Sequence, residues 1–214
     1  MDDEALTGVG LAPSGGAARV LIIACGALAH EIIALKRMNK WDHVDLTCLP
    51  AILHNHPEQI TDKVRQAIAT HREAYDDIFV AYADCGTGGQ LAEACQELGV
   101  QMIKGPHCYA FFEGLDVFGA HEDEITAFYV TDFLARQFDA FVWRPLGLDR
   151  HPELRDMYFG NYTKLVYLTQ KPDPVLADQA REHAKKLGLA FELRETGYGD
   201  LSVELNSWVG AKDS

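Results

Sequence analysis

Four short apolar runs, each followed by a turn that carries a cysteine, constrain this chain most. Arg19-Val20-Leu21-Ile22-Ile23-Ala24 leads to Cys25-Gly26, after which Leu28, Ile32 and Leu35 mark one stripe of a helix over 27–38. Val44-Asp45-Leu46-Thr47 ends in Cys48-Leu49-Pro50, and Ile60, Val64 and Ile68 then recur at spacing four in a helix over 57–71. Ile78-Phe79-Val80-Ala81-Tyr82 leads to Asp84-Cys85-Gly86-Thr87-Gly88-Gly89 and a helix over 90–98. Val100-Gln101-Met102-Ile103 leads to Gly105-Pro106-His107-Cys108. The runs are continuous rather than alternating, as strands are when both faces are covered. The alternation of strand and helix predicts an open, mostly parallel, Rossmann-like α/β sheet with helices on both faces.

Past Glu113 the pattern loosens. A helix is expected over 127–140, with Asp132 and Arg136 as an intrahelical ion pair. A strand over 164–168, a helix over 174–187 closed by Gly188, and a last strand over 191–194 follow. Residues 1–17, small, polar and Gly-rich, read as a disordered arm. That leaves 18–210 as a single α/β domain, and a chain of 214 residues suits one sizeable core.

Charge narrows the partners. With 32 acidic against 19 basic residues the net charge is −13, and the longest basic cluster is Lys185-Lys186. A phosphate backbone would meet a repulsive field, so nucleic acid is not expected as a partner. No apolar run approaches the roughly 18 to 20 residues that span a bilayer. The acidic start Met1-Asp2-Asp3-Glu4 is the wrong flank for a signal peptide, so a cytoplasmic address is expected, without membrane contact. A homodimer is the default assembly.

In a reducing compartment the five cysteines should be thiols. Cys25, Cys48, Cys85 and Cys108 each fall at or just past the carboxyl end of an expected strand, where open α/β sheets bind their ligands. The fifth, Cys95, has helix-face company and reads as core filler. Four thiols on one edge form a candidate metal site, and soft thiolates suit zinc or an iron–sulfur cluster. His30, His54, His56 and His107 lie close in sequence to these cysteines. All four are candidate ligands, and His54, His56 and His107 are also candidate general bases, against the plainer reading of a capping or solvated histidine.

Gly86, Thr87, Gly88 and Gly89 open a helix directly after Asp84-Cys85. Glycines there free backbone N–H groups to bind an anion, a cofactor or a cluster sulfur, although a tight turn alone explains most of them. Asp84 is a candidate acid/base group or a cap of the following helix. Tyr109, Phe111 and Phe112 are candidates for a pocket wall or for core. Asn161, in Tyr158-Phe159-Gly160-Asn161-Tyr162, is a candidate substrate or cofactor contact.

These segments resemble the uncharacterised family called domain of unknown function 1638. The resemblance rests on Ala24-Cys25-Gly26-Ala27-Leu28, Cys48-Leu49-Pro50 with Leu53-His54-Asn55, Asp84-Cys85-Gly86-Thr87-Gly88-Gly89 and Gly105-Pro106-His107-Cys108-Tyr109. Phe128-Tyr129-Val130-Thr131-Asp132-Phe133-Leu134-Ala135-Arg136 and Gly160-Asn161-Tyr162-Thr163 continue it, and it spans about 18–208. It implies a setting near corrinoid-dependent methyl transfer and one-carbon metabolism, with a corrinoid protein or methyltransferase as partner, by association only.

Three functional expectations follow. The first is a metalloenzyme, a lyase or transferase of a small-molecule substrate, with Cys25, Cys48 and Cys85 and either Cys108 or His107 around zinc or an iron–sulfur cluster. The second is a non-catalytic metal- or corrinoid-binding accessory protein. The third is a metal-free thiol enzyme, in which one cysteine attacks and His107 or His54 is the base.

Overall fold

The computed structural model describes residues 2–15, 18–121 and 124–211. Its chain divides into two compact units, residues 1–108 with 201–214 and residues 109–200, where the sequence reading treats 18–210 as one domain. Each unit has its own all-parallel sheet flanked by helices, so the open α/β, Rossmann-like class holds while the single sheet becomes two.

In the first unit a short helix, α1 (Asp3–Gly8), is followed by β1 (Val20–Cys25), which is apolar and buried along its whole length. It pairs in parallel with β2 (Val44–Leu49) on one side and β3 (Asp77–Ala81) on the other, and β4 (Gln101–Met102) extends the sheet beyond β3. Between them run α2 (Ala29–Asn39), α3 (Ile60–His71) and α4 (Gln90–Glu97), whose buried stripes include the expected Ile32, Leu35, Ile60, Val64 and Ile68. The sheet order β2-β1-β3-β4 means that the chain first builds outward from one side of β1 and then from the other. The crevice between β1 and β3 is therefore the topological switch point, where such sheets hold ligands.

The expected disordered arm carries α1, and Met1, Gly16 and Ala17 of it lie outside the described residues. Leu6 of α1 is buried, Asp3 meets His30 of α2 at 2.6 Å, and Leu11 bridges Cys48 through two backbone hydrogen bonds of 2.8 and 2.9 Å. A single apolar anchor and a backbone bridge order the segment despite its polar composition.

The second unit begins with α5 (Ala110–Glu113) and α6 (Leu115–Ala120) and continues into β5 (Ala127–Thr131). The helix expected over 127–140 is thus a strand followed by a five-residue helix, α7 (Asp132–Arg136). Its first five residues, Ala127-Phe128-Tyr129-Val130-Thr131, are aromatic and β-branched and prefer a pleated surface. Thr131 then caps α7 by accepting from the Leu134 amide. The Asp132 carboxylate accepts from Tyr167 Oη at 2.6 Å and from the Gln170 and Lys171 amides.

A short helix, α8 (Arg155–Phe159), precedes β6 (Lys164–Thr169), and α9 (Pro174–Leu187) leads to β7 (Ala190–Glu195). Gly188 ends α9 at φ 73°, as the left-handed cap requires. The last helix, α10 (Gly199–Gly210), returns to the first unit over residues 201–210, where Trp208 stacks on Phe79 at 4.9 Å. Among the described residues no helix is long and apolar enough to cross a membrane.

Candidate functional site

All four ridge cysteines belong to the first unit, and strand register sorts them. Residues paired across a parallel ladder share a face, and successive residues alternate. Cys48 pairs with Ala24, so its side chain stands on the opposite face of the sheet from Cys25. On β3 the partner of Ala24 is Ala81, and one residue further the alternation puts Tyr82 on the Cys25 face. Cys25 and Tyr82 thus flank the switch point between β1 and β3, while Cys48 lies on the far side of β1, on the edge strand closed by Leu11.

The chain holds Cys85 beside Cys108 by extending the β3–β4 pairing past both strands. The Asp84 amide donates to Gly105 O and the Cys85 amide to Pro106 O, each at 2.9 Å. The two turns run in step, and Cys85 Sγ lies 3.1 Å from Cys108 Sγ. Cys85 adopts φ 48°, one of two non-glycine residues with positive φ among those described. Such a conformation costs on the order of 1–3 kcal/mol and clusters at functional sites.

The pair shares protons unevenly. The Cys85 thiol is held below its usual value, chiefly by hydrogen bonding from the Cys108 side chain and also by the Cys108 amide, against burial and the Asp84 charge. Cys108 is pushed up by that same hydrogen bond and by burial. These shifts favour ionisation of Cys85 over Cys108, with Cys108 as the donor. Burial drives Cys25 up to about 12, and burial also raises Cys48. Cys95 is buried on α4, as the filler reading has it.

Tyr82, which the sequence reading passes over, is 1% exposed, and its Oη meets no partner in hydrogen-bond geometry among the described residues. Its acidity is suppressed by burial first and then by the charges of Cys25, Cys108, Cys85 and Cys48. The thiol whose ionised form it is placed to stabilise is Cys25. A buried hydroxyl left unsatisfied costs about 1–3 kcal/mol. The only signal in the sequence is one polar atom inside an otherwise apolar run.

The glycine turn binds an anion of its own. Asp84 accepts from the Gly89 amide at 2.6 Å, the Gly88 amide at 3.2 Å and Thr87 Oγ1 at 2.8 Å. Burial alone would raise the Asp84 carboxyl, but these donors bring it below the usual range. The Gly88 and Gly89 amides offered in the sequence reading to a cofactor thus converge on Asp84, which braces the turn that leads into α4, while Gly89 itself is the N-cap and no side chain among the described residues caps the helix.

His54 and His107 are both solvent-exposed; partial desolvation lowers each of them, the His107 charge lowers His54 further, and Asp84 partly offsets the shift at His107. Each shift favours the neutral imidazole, the form a general base requires. His56 is an exposed neighbour of Glu58, at 3.6 Å. Phe111 and Phe112 are buried core on α5. Asn161 is an exposed turn residue preceding β6 in the second unit.

Among the described residues no three His, Cys, Asp or Glu side chains are disposed to hold one metal ion. The four-thiol shell expected from sequence resolves into a close pair, Cys85 and Cys108, a third thiol, Cys25, on the Tyr82 face, and Cys48 on the opposite one.

Fold and site together define a class: an open parallel α/β unit with a thiol pair at the carboxyl edge of its sheet. The chain belongs to the family described as a protein of unknown function, DUF1638, whose profile matches residues 48–204 and so takes in Cys48, Cys85 and Cys108. No curated protein and no solved structure matches it.

Proposed function

We propose that the first unit is a thiol-dependent enzyme in which the Cys85 thiolate attacks an electrophilic small-molecule substrate. The observation that carries this reading is the 3.1 Å contact between Cys85 Sγ and Cys108 Sγ. It supplies the thiolate with a donor and leaves Cys85 half-buried, open to a small reagent, while Cys25, Cys48 and Cys95 are buried. His107, next in sequence to Cys108, and His54, both exposed, are the bases that would take the proton of an incoming group. In the one-carbon setting that the family resemblance implies, an electrophilic methyl donor is the substrate class such a thiolate would take.

The test is competitive alkylation of protein purified without oxygen and without a metal-binding tag, followed by peptide mapping. Cys85 should label first, and faster than free cysteine near neutral pH. First labelling at any other cysteine contradicts the reading.

A second reading, a resident zinc ion or iron–sulfur cluster, is favoured by one observation. Tyr82 Oη is buried beside Cys25, with no partner in hydrogen-bond geometry among the described residues, inside the field of four thiols. Cys25, Cys85 and Cys108 are soft donors, and a three-thiolate set would need the turns of Cys85 and Cys108 to rearrange toward Cys25, with Cys48 outside it on the opposite face. The group would supply an open coordination position as a Lewis acid, while Tyr82 would donate to its sulfur shell. Metal and acid-labile sulfide analysis of the same preparation separates the two readings. Stoichiometric metal lost on Cys25→Ala supports the second.

A further inference from the structure

We propose that Cys85 and Cys108 form a reversible intramolecular disulfide, so that the site carries out thiol–disulfide exchange with small disulfides. The inference builds on the thiol reading above only in naming Cys85 as the sulfur that attacks first.

Geometry supports it in three ways. The two sulfurs are 3.1 Å apart, and a disulfide bond is about 2.05 Å long, so closure needs roughly 1 Å of approach, within the reach of side-chain rotation. The hydrogen bonds from Asp84 N to Gly105 O and from Cys85 N to Pro106 O keep the two turns in step while the side chains move. Neither cysteine lies inside a helix or strand: Cys85 is in the turn after β3 and Cys108 in the turn before α5, so closure disrupts no ladder. The other thiols are not equivalent. Cys25, Cys48 and Cys95 are 7%, 4% and 1% exposed, and Cys25 and Cys48 project from opposite faces of the sheet.

The exchange balances as two displacements. The Cys85 thiolate attacks one sulfur of a small disulfide, forms a mixed disulfide and releases one thiolate, which takes a proton from solvent. Cys108 then loses its proton and attacks Cys85 Sγ, which closes the protein disulfide and releases the second small thiol. The protein is oxidised by two electrons, and the small disulfide is reduced to two thiols. His107, adjacent in sequence to Cys108, is the imidazole that can accept the Cys108 proton, while the Asp84 charge opposes the Cys85 thiolate.

The experiment equilibrates the full chain, anaerobically, with glutathione mixtures from fully reduced to fully oxidised, followed by acid quenching, alkylation and peptide mapping. The expected result is that Cys85 and Cys108 lose reactivity together, form a linked peptide pair, and recover with excess thiol. Cys108→Ala should stop at a glutathione adduct on Cys85, and Cys95→Ala should behave as the parent. Should Cys108→Ala fold poorly by circular dichroism, Cys108→Ser serves the same purpose. Continued alkylation of both residues at the oxidised extreme overturns the inference. If Cys85 alone is then hyper-reactive, the nucleophile reading survives without it. Linkage of 85 to 108 in a protein whose first alkylated residue is Cys108 supports exchange and removes the nucleophile reading. Protection of both thiols by a stoichiometric bound metal overturns both.

Discussion

The Asp84 carboxylate accepts the Gly89 amide at 2.6 Å, so the glycine turn beside the reactive thiol closes on a side chain of its own. Gly88 and Gly89 sit at φ 63° and 88°, and that left-handed backbone is what aims their amides inward at Asp84. Asp84→Ala should destabilise the fold by about 1–2 kcal/mol, the cost of leaving the turn donors it holds without their acceptor, with Asp84→Asn losing less. Because the Asp84 charge opposes the Cys85 thiolate, Asp84→Asn should also move the Cys85 titration to lower pH. Urea unfolding and pH-dependent alkylation check the two parts. A stable Asp84→Ala protein would show that the turn holds itself.

Strain at Cys85 is measurable separately from its chemistry. At φ 48° an alanine keeps the penalty and a glycine removes it, against the extra chain entropy that glycine loses on folding. Cys85→Gly should therefore be at least as stable as Cys85→Ala, by up to about 1 kcal/mol in urea, the reverse of the order at an ordinary buried position.

The amino-terminal segment should prove structural. Leu6 is 1% exposed, and the Leu6 carbonyl lies so near Gly26 that a Cβ there would stand 2.6 Å from it. Leu6→Ala should cost about 2–4 kcal/mol, and Gly26→Ala should displace α1. In both variants Cys25 and Cys48 should become more accessible to alkylation, because α1 and the Leu11 bridge cover that edge. Unchanged protection of Cys48 in the Leu6 variant would contradict this.

Acid should act on the first unit partly through Asp45. Burial alone would raise its carboxyl, but Ser14 N and Oγ, Gly15 N, Tyr75 Oη and Leu46 N all donate to it, and it titrates at about 2. A depressed folded value contributes stability that is fully present above the unfolded value of about 3.9 and disappears as pH falls from there through about 2. The contribution is on the order of 2 kcal/mol. Tyr75→Phe should remove about 1 kcal/mol of it and move the acid transition to higher pH, readable by circular dichroism.

The first unit was legible because its strands are buried on both faces and therefore uninterrupted: Val20-Leu21-Ile22-Ile23-Ala24 cannot be read another way. β5 was not, because Asp132 and Arg136 at spacing four offered a helical continuation to a run of only five residues, and tertiary pairing with β6 decides the matter. At the site, the sequence placed Cys25, Cys48, Cys85 and Cys108 at one sheet edge but carried no face assignment. That assignment depends on a register, Ala24 with Cys48, that only the paired backbone reveals. Tyr82 stayed hidden because a tyrosine in an apolar run looks like core until its hydroxyl lacks a partner. The glycine turn looked open because Asp84 precedes it by only a few residues, and nothing in the spacing says which way the carboxylate folds.

The central claim is that Cys108 favours ionisation of Cys85. The most direct measurement is the thiolate ultraviolet absorbance of the anaerobic protein as a function of pH, for the parent, Cys85→Ala and Cys108→Ala. The account predicts one thiolate titrating below the free-cysteine value of about 8.5, absent in Cys85→Ala and shifted upward in Cys108→Ala. A parent protein with no thiolate below that value, or a Cys108→Ala protein whose low titration is unmoved, would contradict it.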